Sequence, residues 1–147
     1  MRIASLLRSA AVVAAGVPIL LFSAGPAYAG TQWFSDGDPY TVTVACALDD
    51  AQVWCVASFA TYQLPIPAPT CEAPAVPFPK FTLARTGTTQ LSYACGTGIY
   101  RPGPQLPPGN TITNGPITCT GQPPTQGIQC TNGQHTFRIS RTQYTLT

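Results

Sequence analysis

Six cysteines constrain this 147-residue chain more than any other feature of its sequence. They lie at Cys46, Cys55, Cys71, Cys95, Cys119 and Cys130. None of them forms the closely spaced Cys-x-x-Cys pair that zinc sites draw on, and His135 is the only histidine. An even number of cysteines without metal-ligand spacing indicates a disulfide framework. We therefore predict crosslinks, with no bound metal and no cofactor.

The first two cysteines lie in a strand–turn–strand pattern. Residues 40–48 alternate between polar and apolar side chains, and the alternation returns over residues 53–59 after an Asp-Asp turn. If Cys46 lies opposite Cys55, the apolar side chains fall on the same face as the disulfide, and a slip of one residue would destroy this agreement. The predicted register adds three pairs: Leu48 with Val53, Val44 with Ala57 and Val42 with Phe59.

The last two cysteines repeat the arrangement. Cys119 opposite Cys130 places the isoleucine two residues before each cysteine on the face of the sulfur atoms. Both pairs enclose an even number of residues, as direct opposition across a hairpin requires. The remaining pair, Cys71 with Cys95, follows by elimination, so the sequence predicts a complete disulfide pattern.

A third strand pair is predicted in the middle of the chain. Residues 81–83 and 91–95 alternate around a turn at residues 86–88. Residues 65–80 contain six prolines, and we expect an extended crossing that cannot join a central strand, because proline lacks the N–H that a ladder needs. A last strand over residues 136–140 points Phe137 and Ile139 inward. The fold class predicted is all-β, a small disulfide-stapled barrel or sandwich of about six or seven short antiparallel strands.

Residues 1–29 have the pattern of a secretory signal peptide. Arg2 and Arg8 form a basic start, an apolar run follows, and Ala27-Tyr28-Ala29 presents small residues where signal peptidase binds. The apolar run of about 13 residues is shorter than the roughly 18 to 20 that span a bilayer, which disfavours a retained membrane anchor. We expect cleavage after Ala29, a secreted or cell-envelope location, and a single disulfide-rich domain at residues 30–147.

The charge of the predicted mature chain restricts the classes of partner that it can bind. Residues 30–147 contain five basic and five acidic side chains, without a basic cluster. Nucleic acids and acidic membranes are bound through clustered lysine and arginine, so we exclude both partners. The expected partner is a protein or a glycan, and we expect a monomer.

The C-terminal third resembles a known family. The residues that carry the resemblance are Cys119-Thr120-Gly121, Gly127-Ile128-Gln129-Cys130-Thr131-Asn132-Gly133, His135, Phe137, Ile139-Ser140-Arg141 and Tyr144. They are similar to the C-terminal signature of small exported actinobacterial, largely mycobacterial, proteins with six cysteines and a proline-rich middle. The resemblance extends from about Val42 to Leu146. It implies export and a shared fold; the family is a domain of unknown function, so the resemblance implies no activity.

The sequence contains no recognisable catalytic constellation. His135 is the only candidate imidazole base, it lies in an Asn-Gly-Gln-His segment typical of an exposed turn, and no Gly-x-Ser-x-Gly motif is present. Asp49-Asp50 and Asp36-Gly37-Asp38-Pro39 are turn signals, because an aspartate side chain accepts hydrogen bonds from nearby main-chain amides. The chain is therefore predicted to be a non-catalytic binding or envelope-associated module. A small hydrolase using His135 and a protease-inhibitor-like protein are the alternatives.

Four residues are the binding candidates: Trp54, Tyr100, Arg101 and His135. Aromatic and arginine side chains are enriched at binding sites. In the predicted hairpin, Trp54 lies on the face opposite Cys55. It either covers a second apolar layer there with its neighbours Ala45 and Val56, or is exposed to a ligand.

Overall fold

The computed structural model describes residues 30–37, 41–98, 103–123 and 126–147. These ranges contain ten strands and no helix, so the all-β prediction is confirmed and no helix there could cross a membrane. The predicted signal peptide lies outside them, as do Tyr100 and Arg101. The strands are β1 Gln32–Ser35, β2 Val44–Leu48, β3 Gln52–Ala57, β4 Val76–Ala84, β5 Gln90–Gly96, β6 Thr111–Asn114, β7 Ile117–Gly121, β8 Ile128–Thr131, β9 Thr136–Ile139 and β10 Tyr144–Leu146.

The strands form two antiparallel sheets in which each strand pairs with its neighbours in sequence. Sheet A contains β1 to β5 and sheet B contains β6 to β10. The sheets pack face to face, and the rings of Phe81 in sheet A and Phe137 in sheet B lie 5.8 Å apart. Both rings are fully buried. The arrangement corresponds to the sandwich alternative, since no strand pairing closes the sheets into a barrel among the described residues.

All three predicted disulfides are present. Cys46–Cys55 and Cys119–Cys130 join directly opposite residues of β2–β3 and β7–β8 and are fully buried between the sheets. Cys71–Cys95 ties the proline-rich crossing to β5. The predicted pairs Leu48–Val53 and Val44–Ala57 are confirmed as well. The pattern of alternation therefore predicted the register of both hairpins over their paired residues.

The predicted pair Val42–Phe59 is wrong. The ladder between β2 and β3 ends at Val44 and Ala57. Phe59 has a positive φ of 56°, which turns the chain out of the extended conformation, and 60% of its side chain is exposed. Val42 is buried without it. A left-handed residue, rare outside glycine and costly for a bulky side chain, ended the strand where alternation alone predicted that it continues.

The first disulfide also shows which way the main-chain groups of sheet A point. The Cα atoms of Cys46 and Cys55 are 4.1 Å apart, the close spacing of an antiparallel pair whose N–H and C=O groups point away from each other. Those of Cys55 therefore face Phe81, its partner on β4. The main-chain groups of Phe81 face β3 in return, and they point away from Leu91, its partner on β5.

The alternating direction of the main-chain groups along β4 explains a second correction, which concerns prolines. Residues 76–80 were expected to stay out of a central strand, yet β4 begins at Val76 and lies between β3 and β5. Pro77 and Pro79 lie four and two residues before Phe81, so their nitrogens point to the same side as the main-chain groups of Phe81, toward β3. Pairing with β3 ends at Lys80, one residue before Pro79 is reached. The missing N–H groups therefore fall where no β3 partner exists, and β4 accommodates both prolines.

Three strands were not predicted: β1, β6 and β10. They are only four, four and three residues long, and β1 and β6 contain mostly polar or mixed residues without a clear alternation. All three are edge strands, which pair on one side only. The predicted last strand is confirmed as β9, where Phe137 and Ile139 are buried and Arg138 is half-buried.

Candidate functional site

The two ends of the sandwich differ in the length of their connections. Because consecutive strands are antiparallel, the connections alternate between the ends. One end, here called the open end, has the connections 36–43, 58–75, 97–110, 122–127 and 140–143, of which the first three are eight or more residues long. The other, the closed end, has the connections 49–51, 85–89, 115–116 and 132–135, none longer than five residues. Long loops on a rigid scaffold are where binding residues concentrate, so the open end is the candidate functional end.

The closed end is sealed by the side chain of Asn132, which is only 6% exposed. Its Nδ2 donates to the carbonyl oxygens of Ala84 (3.1 Å) and Gly87 (3.0 Å), which belong to the β4–β5 turn of sheet A. Its Oδ1 accepts from the main-chain N–H groups of Gln134 (3.1 Å) and His135 (2.9 Å) within its own turn. One buried amide therefore shapes a turn of sheet B and fixes it to sheet A.

Exposed side chains add a second link at the closed end. Asn114 Nδ2 donates to Asp50 Oδ1 (3.0 Å), and Arg85 Nη2 donates to Asn114 Oδ1 (3.3 Å). The predicted turn role of Asp49 is confirmed, because its Oδ1 accepts the N–H groups of Ala51 (2.8 Å) and Gln52 (2.9 Å). The carboxylates of this end thus hold turns.

His135 belongs to this sealed end. Its N–H is held by Asn132 Oδ1, and its carbonyl accepts from the N–H of Asn132 (3.1 Å) and from Thr131 Oγ1 (3.0 Å). Among the described residues, every hydrogen bond of His135 is made by its main chain. Within the described ranges, the imidazole therefore has no hydroxyl nucleophile and no orienting group hydrogen-bonded to it.

The open end contains a cleft of about 680 Å³. Its lining is rich in hydroxyl and amide side chains, and it draws on connections of both sheets. The polar residues that matter most are Thr41, Thr43, Thr61, Gln105, Gln122 and Arg141. A volume of this size falls in the range of small-molecule sites. The hydroxyl, amide and guanidinium groups of the cleft can hydrogen-bond a polar ligand at several points, while most of the lining area is apolar.

Asp36 shapes one wall of the cleft. Its Oδ1 accepts the N–H groups of Thr43 (2.9 Å) and Val44 (2.8 Å), and its Oδ2 accepts from Thr43 Oγ1 (2.7 Å). The predicted turn role of Asp36 is therefore confirmed. Because three donors occupy the carboxylate, it is committed to folding the 36–43 connection.

Main-chain contacts fix the other walls. The N–H of Thr61 donates to the carbonyl of Arg141 (2.9 Å), which joins a connection of sheet A to one of sheet B. Gly127 has a positive φ of 74°, and a Cβ atom there would collide with the carbonyl oxygen of Ile139. Only glycine fits this position, because the 122–127 connection approaches the main chain of β9 so closely.

Arg141 supplies an available charge at the cleft. Its side chain is exposed, and within the described part of the chain its guanidinium makes no ion pair and no hydrogen bond. Among the described residues, the other charged residue of the lining is Asp36, whose carboxylate is occupied as described above. A guanidinium with free donors in a fixed fork is suited to binding a carboxylate.

Trp54 lies elsewhere, on the outer face of sheet A. Its ring stands edge-on to that of Trp33, with centroids 5.4 Å apart, and the Lys80 Nζ lies 5.0 Å from its centre. Ala47, between the two tryptophans in the sheet, is fully buried, as Val56 nearly is. Trp54 is half-buried and covers a second apolar layer, one of the two alternatives that the sequence left open.

Of the four sequence-predicted binding residues, the structure describes Trp54 and His135, and it does not bring these two together. Trp54 lies on the outer face and His135 at the closed end, and neither lines the cleft. Sequence reasoning missed the cleft residues, above all Arg141, Thr43 and Gln105. One signal was available: short turns and long proline- and glycine-rich connections alternate along the chain, which predicts that the long ones meet at one end.

The fold and the cleft define a small all-β protein with three disulfides and a polar cleft between its loops. No group of three or more histidine, cysteine, aspartate or glutamate side chains in the described ranges could hold a metal ion. Comparison with known proteins found no matching family model, no similar curated protein and no similar solved structure.

Proposed function

We propose that this protein is an exported, non-catalytic binding module, secreted or associated with the cell envelope, that captures a polar ligand in the open-end cleft. The single observation that carries the proposal is the contrast between the two ends. Buried and exposed hydrogen bonds close one end, while the other opens into a cleft of about 680 Å³ lined by hydroxyl, amide and guanidinium groups.

The lining favours a glycan or an extended peptide that bears a carboxylate. Hydroxyl and amide groups act both as donors and as acceptors, which suits the hydroxyl groups of sugars and the main chain of peptides. Arg141 supports a carboxylate at one end of that ligand, because its donors are otherwise unused among the described residues. The three disulfides support export, since they persist in oxidising compartments.

Hydrolysis by His135 remains an alternative without a supporting observation. The histidine lies in a turn of the closed end, and the cleft lies at the open end. A hydrolase needs a nucleophile within hydrogen-bond reach of its base. If a hydrolytic activity were found, an unaltered rate in His135→Ala would remove this alternative.

A binding array tests the proposed function. The oxidised protein is applied to immobilised uronate-containing oligosaccharides, their neutral counterparts and peptides with free C-terminal carboxylates. We expect binding to carboxylate-bearing ligands, weakened about tenfold or more in Arg141→Gln, because a charge-assisted hydrogen bond contributes about 1.5 to 3 kcal/mol.

Arg85→Gln is the matched control. Arg85 is an exposed arginine of the closed end, so its loss should leave the affinity unchanged. Equal losses in both variants would point to general charge attraction and contradict a site at the cleft. Absence of binding to every carboxylate-bearing ligand would contradict the proposed ligand class.

A further inference from the structure

We propose that edge strand β5 pairs with β5 of a second copy of this chain, so that two copies of sheet A become one continuous antiparallel sheet. The inference is independent of the cleft and replaces the expectation of a monomer. It rests on the main-chain groups, the length and the charge of β5.

The edges of the two sheets are protected unequally. Sheet A ends in β1 and β5, and sheet B ends in β6 and β10. The main chain of Ser35 in β1 is covered by residues 104–106, through N–H···O bonds to Pro104 (3.1 Å) and from Leu106 (2.9 Å). Strands β6 and β10 are only four and three residues long. Short or covered edges resist unwanted pairing, so these three are protected.

The main chain of β5 has none of these protections among the described residues, where the proline-rich crossing is bonded to side chains of β5, through the Cys71–Cys95 disulfide and the bond from Leu64 N–H to Tyr93 Oη. The strand runs for seven residues, Gln90–Gly96, without a charge or a proline, and its register with β4 is continuous, so no bulge bends it. None of its residues is buried. Natural sheets guard long edges with lysine, proline or bulges, because an open edge is a template for another strand. An unguarded edge of this length is expected where a strand is meant to join it.

The groups that would receive that strand can be identified. As derived above from the Cα spacing of the first disulfide, the main-chain groups of Phe81 and Leu91 point away from each other, so the N–H and C=O of Leu91 point away from β4. Every second residue of a strand points the same way, so the N–H and C=O groups of Tyr93 and Cys95 also point away from β4. Within the described ranges, no main-chain hydrogen bond reaches the outer edge of these three residues. Three residues therefore present unpaired donors and acceptors to the same side.

A second copy of β5 fits this edge. Antiparallel pairing about a two-fold axis at Tyr93 places Leu91 of one copy opposite Cys95 of the other, and all outward groups then face each other. The paired strands carry no charge. The same three residues supply donors and acceptors on both sides of the two-fold axis, so β5 is complementary to a copy of itself.

Sedimentation equilibrium of the oxidised protein, from about 1 µM to about 1 mM, tests for the dimer. Amide hydrogen exchange tests which edge it uses. We expect exchange at Leu91, Tyr93 and Cys95 to slow at least tenfold as the dimer forms, whereas Ser92 and Ala94, bonded to β4 in either state, stay protected throughout. A monomer at every concentration, or a dimer that leaves the three amides unprotected, would overturn the proposal.

Charge variants of Ser92 test the geometry without removing core contacts. Ser92 lies on the outer face of β5, and the pairing puts the two copies of Ser92 diagonally across the new strand junction. Ser92→Lys and Ser92→Glu should each weaken the dimer at least tenfold, and an equimolar mixture should restore it. Thr120→Lys, on the interior strand β7, is the control and should leave the dimer unchanged. No recovery in the mixture, with both variants folded, would contradict pairing in this register.

Discussion

Replacing Asn132 by alanine should destabilise the protein more than any other single change at the closed end. The side chain is 6% exposed and makes four hydrogen bonds, two to the β4–β5 turn and two within its own turn. Each intramolecular hydrogen bond contributes about 1 kcal/mol net, and alanine leaves buried partners unsatisfied. We expect Asn132→Ala to lower the free energy of unfolding by about 4 kcal/mol, a large part of the 5 to 15 kcal/mol typical of a domain.

Two comparisons isolate the reason. Asn132→Asp keeps the acceptor but places a carboxylate oxygen against the carbonyls of Ala84 and Gly87, so it should destabilise although its size is unchanged. Asn114→Ala removes two hydrogen bonds that are exposed, where water replaces the partner, and should cost less than about 1 kcal/mol.

Urea unfolding with intact disulfides measures these differences. Tryptophan fluorescence follows sheet A through Trp33 and Trp54, and far-ultraviolet circular dichroism follows both sheets. Coincident transitions with an unchanged denaturant slope would justify a two-state analysis. If Asn132→Ala cost no more than Asn114→Ala, the closed end would not be held by the buried amide, and the reasoning would fail.

Mild reduction of the folded protein should open Cys71–Cys95 first, because Cys95 is exposed while the other two disulfides are buried; mass mapping of alkylated thiols would show the order. Replacing both Cys71 and Cys95 by alanine should cost about 3.5 kcal/mol, from the closure entropy of their 24-residue separation. Tyr62→Phe should leave stability unchanged or raise it, because the buried Tyr62 hydroxyl has no partner in the described ranges, whereas Tyr93→Phe should lose about 1 kcal/mol with the bond that Leu64 N–H donates to it. Burial raises the pKa of the Tyr62 hydroxyl, so the folded state keeps a proton that the unfolded state loses near pH 10. The free energy of unfolding should therefore fall as the pH rises above about 10, and it should fall less steeply in Tyr62→Phe.

The alternation of side chains along the sequence predicted the strands whose inward-facing residues differ in type from their outward-facing ones. In β2, β3, β7 and β8 the inner residues are apolar and the disulfides require direct opposition, so the register followed from the sequence. It failed where a single backbone conformation decided the outcome. Phe59 ends its strand through a positive φ, and nothing in its side chain signals that conformation.

The prediction that the prolines of β4 stay out of a central strand failed for a different reason. Whether Pro77 and Pro79 are tolerated depends on which side their nitrogens face and on where the neighbouring strand stops, and both are properties of the assembled sheet. The cleft is likewise a product of assembly, because Thr61, Gln105 and Arg141 are far apart in sequence. No local pattern links them, and they meet only because the long connections share an end.

The disulfides do not connect the two sheets to each other, and this bears on the proposed function. Cys46–Cys55 and Cys71–Cys95 lie within sheet A and its connections, and Cys119–Cys130 lies within sheet B. No crosslink joins the sheets, so their association depends on core packing, on the chain between β5 and β6 and on contacts such as Thr61 N–H to the Arg141 carbonyl. The cleft draws its lining from both sheets. A ligand that contacts both walls would therefore bind the assembled sandwich and not the separated sheets, and mass action would make it a stabiliser of the contact that no disulfide secures.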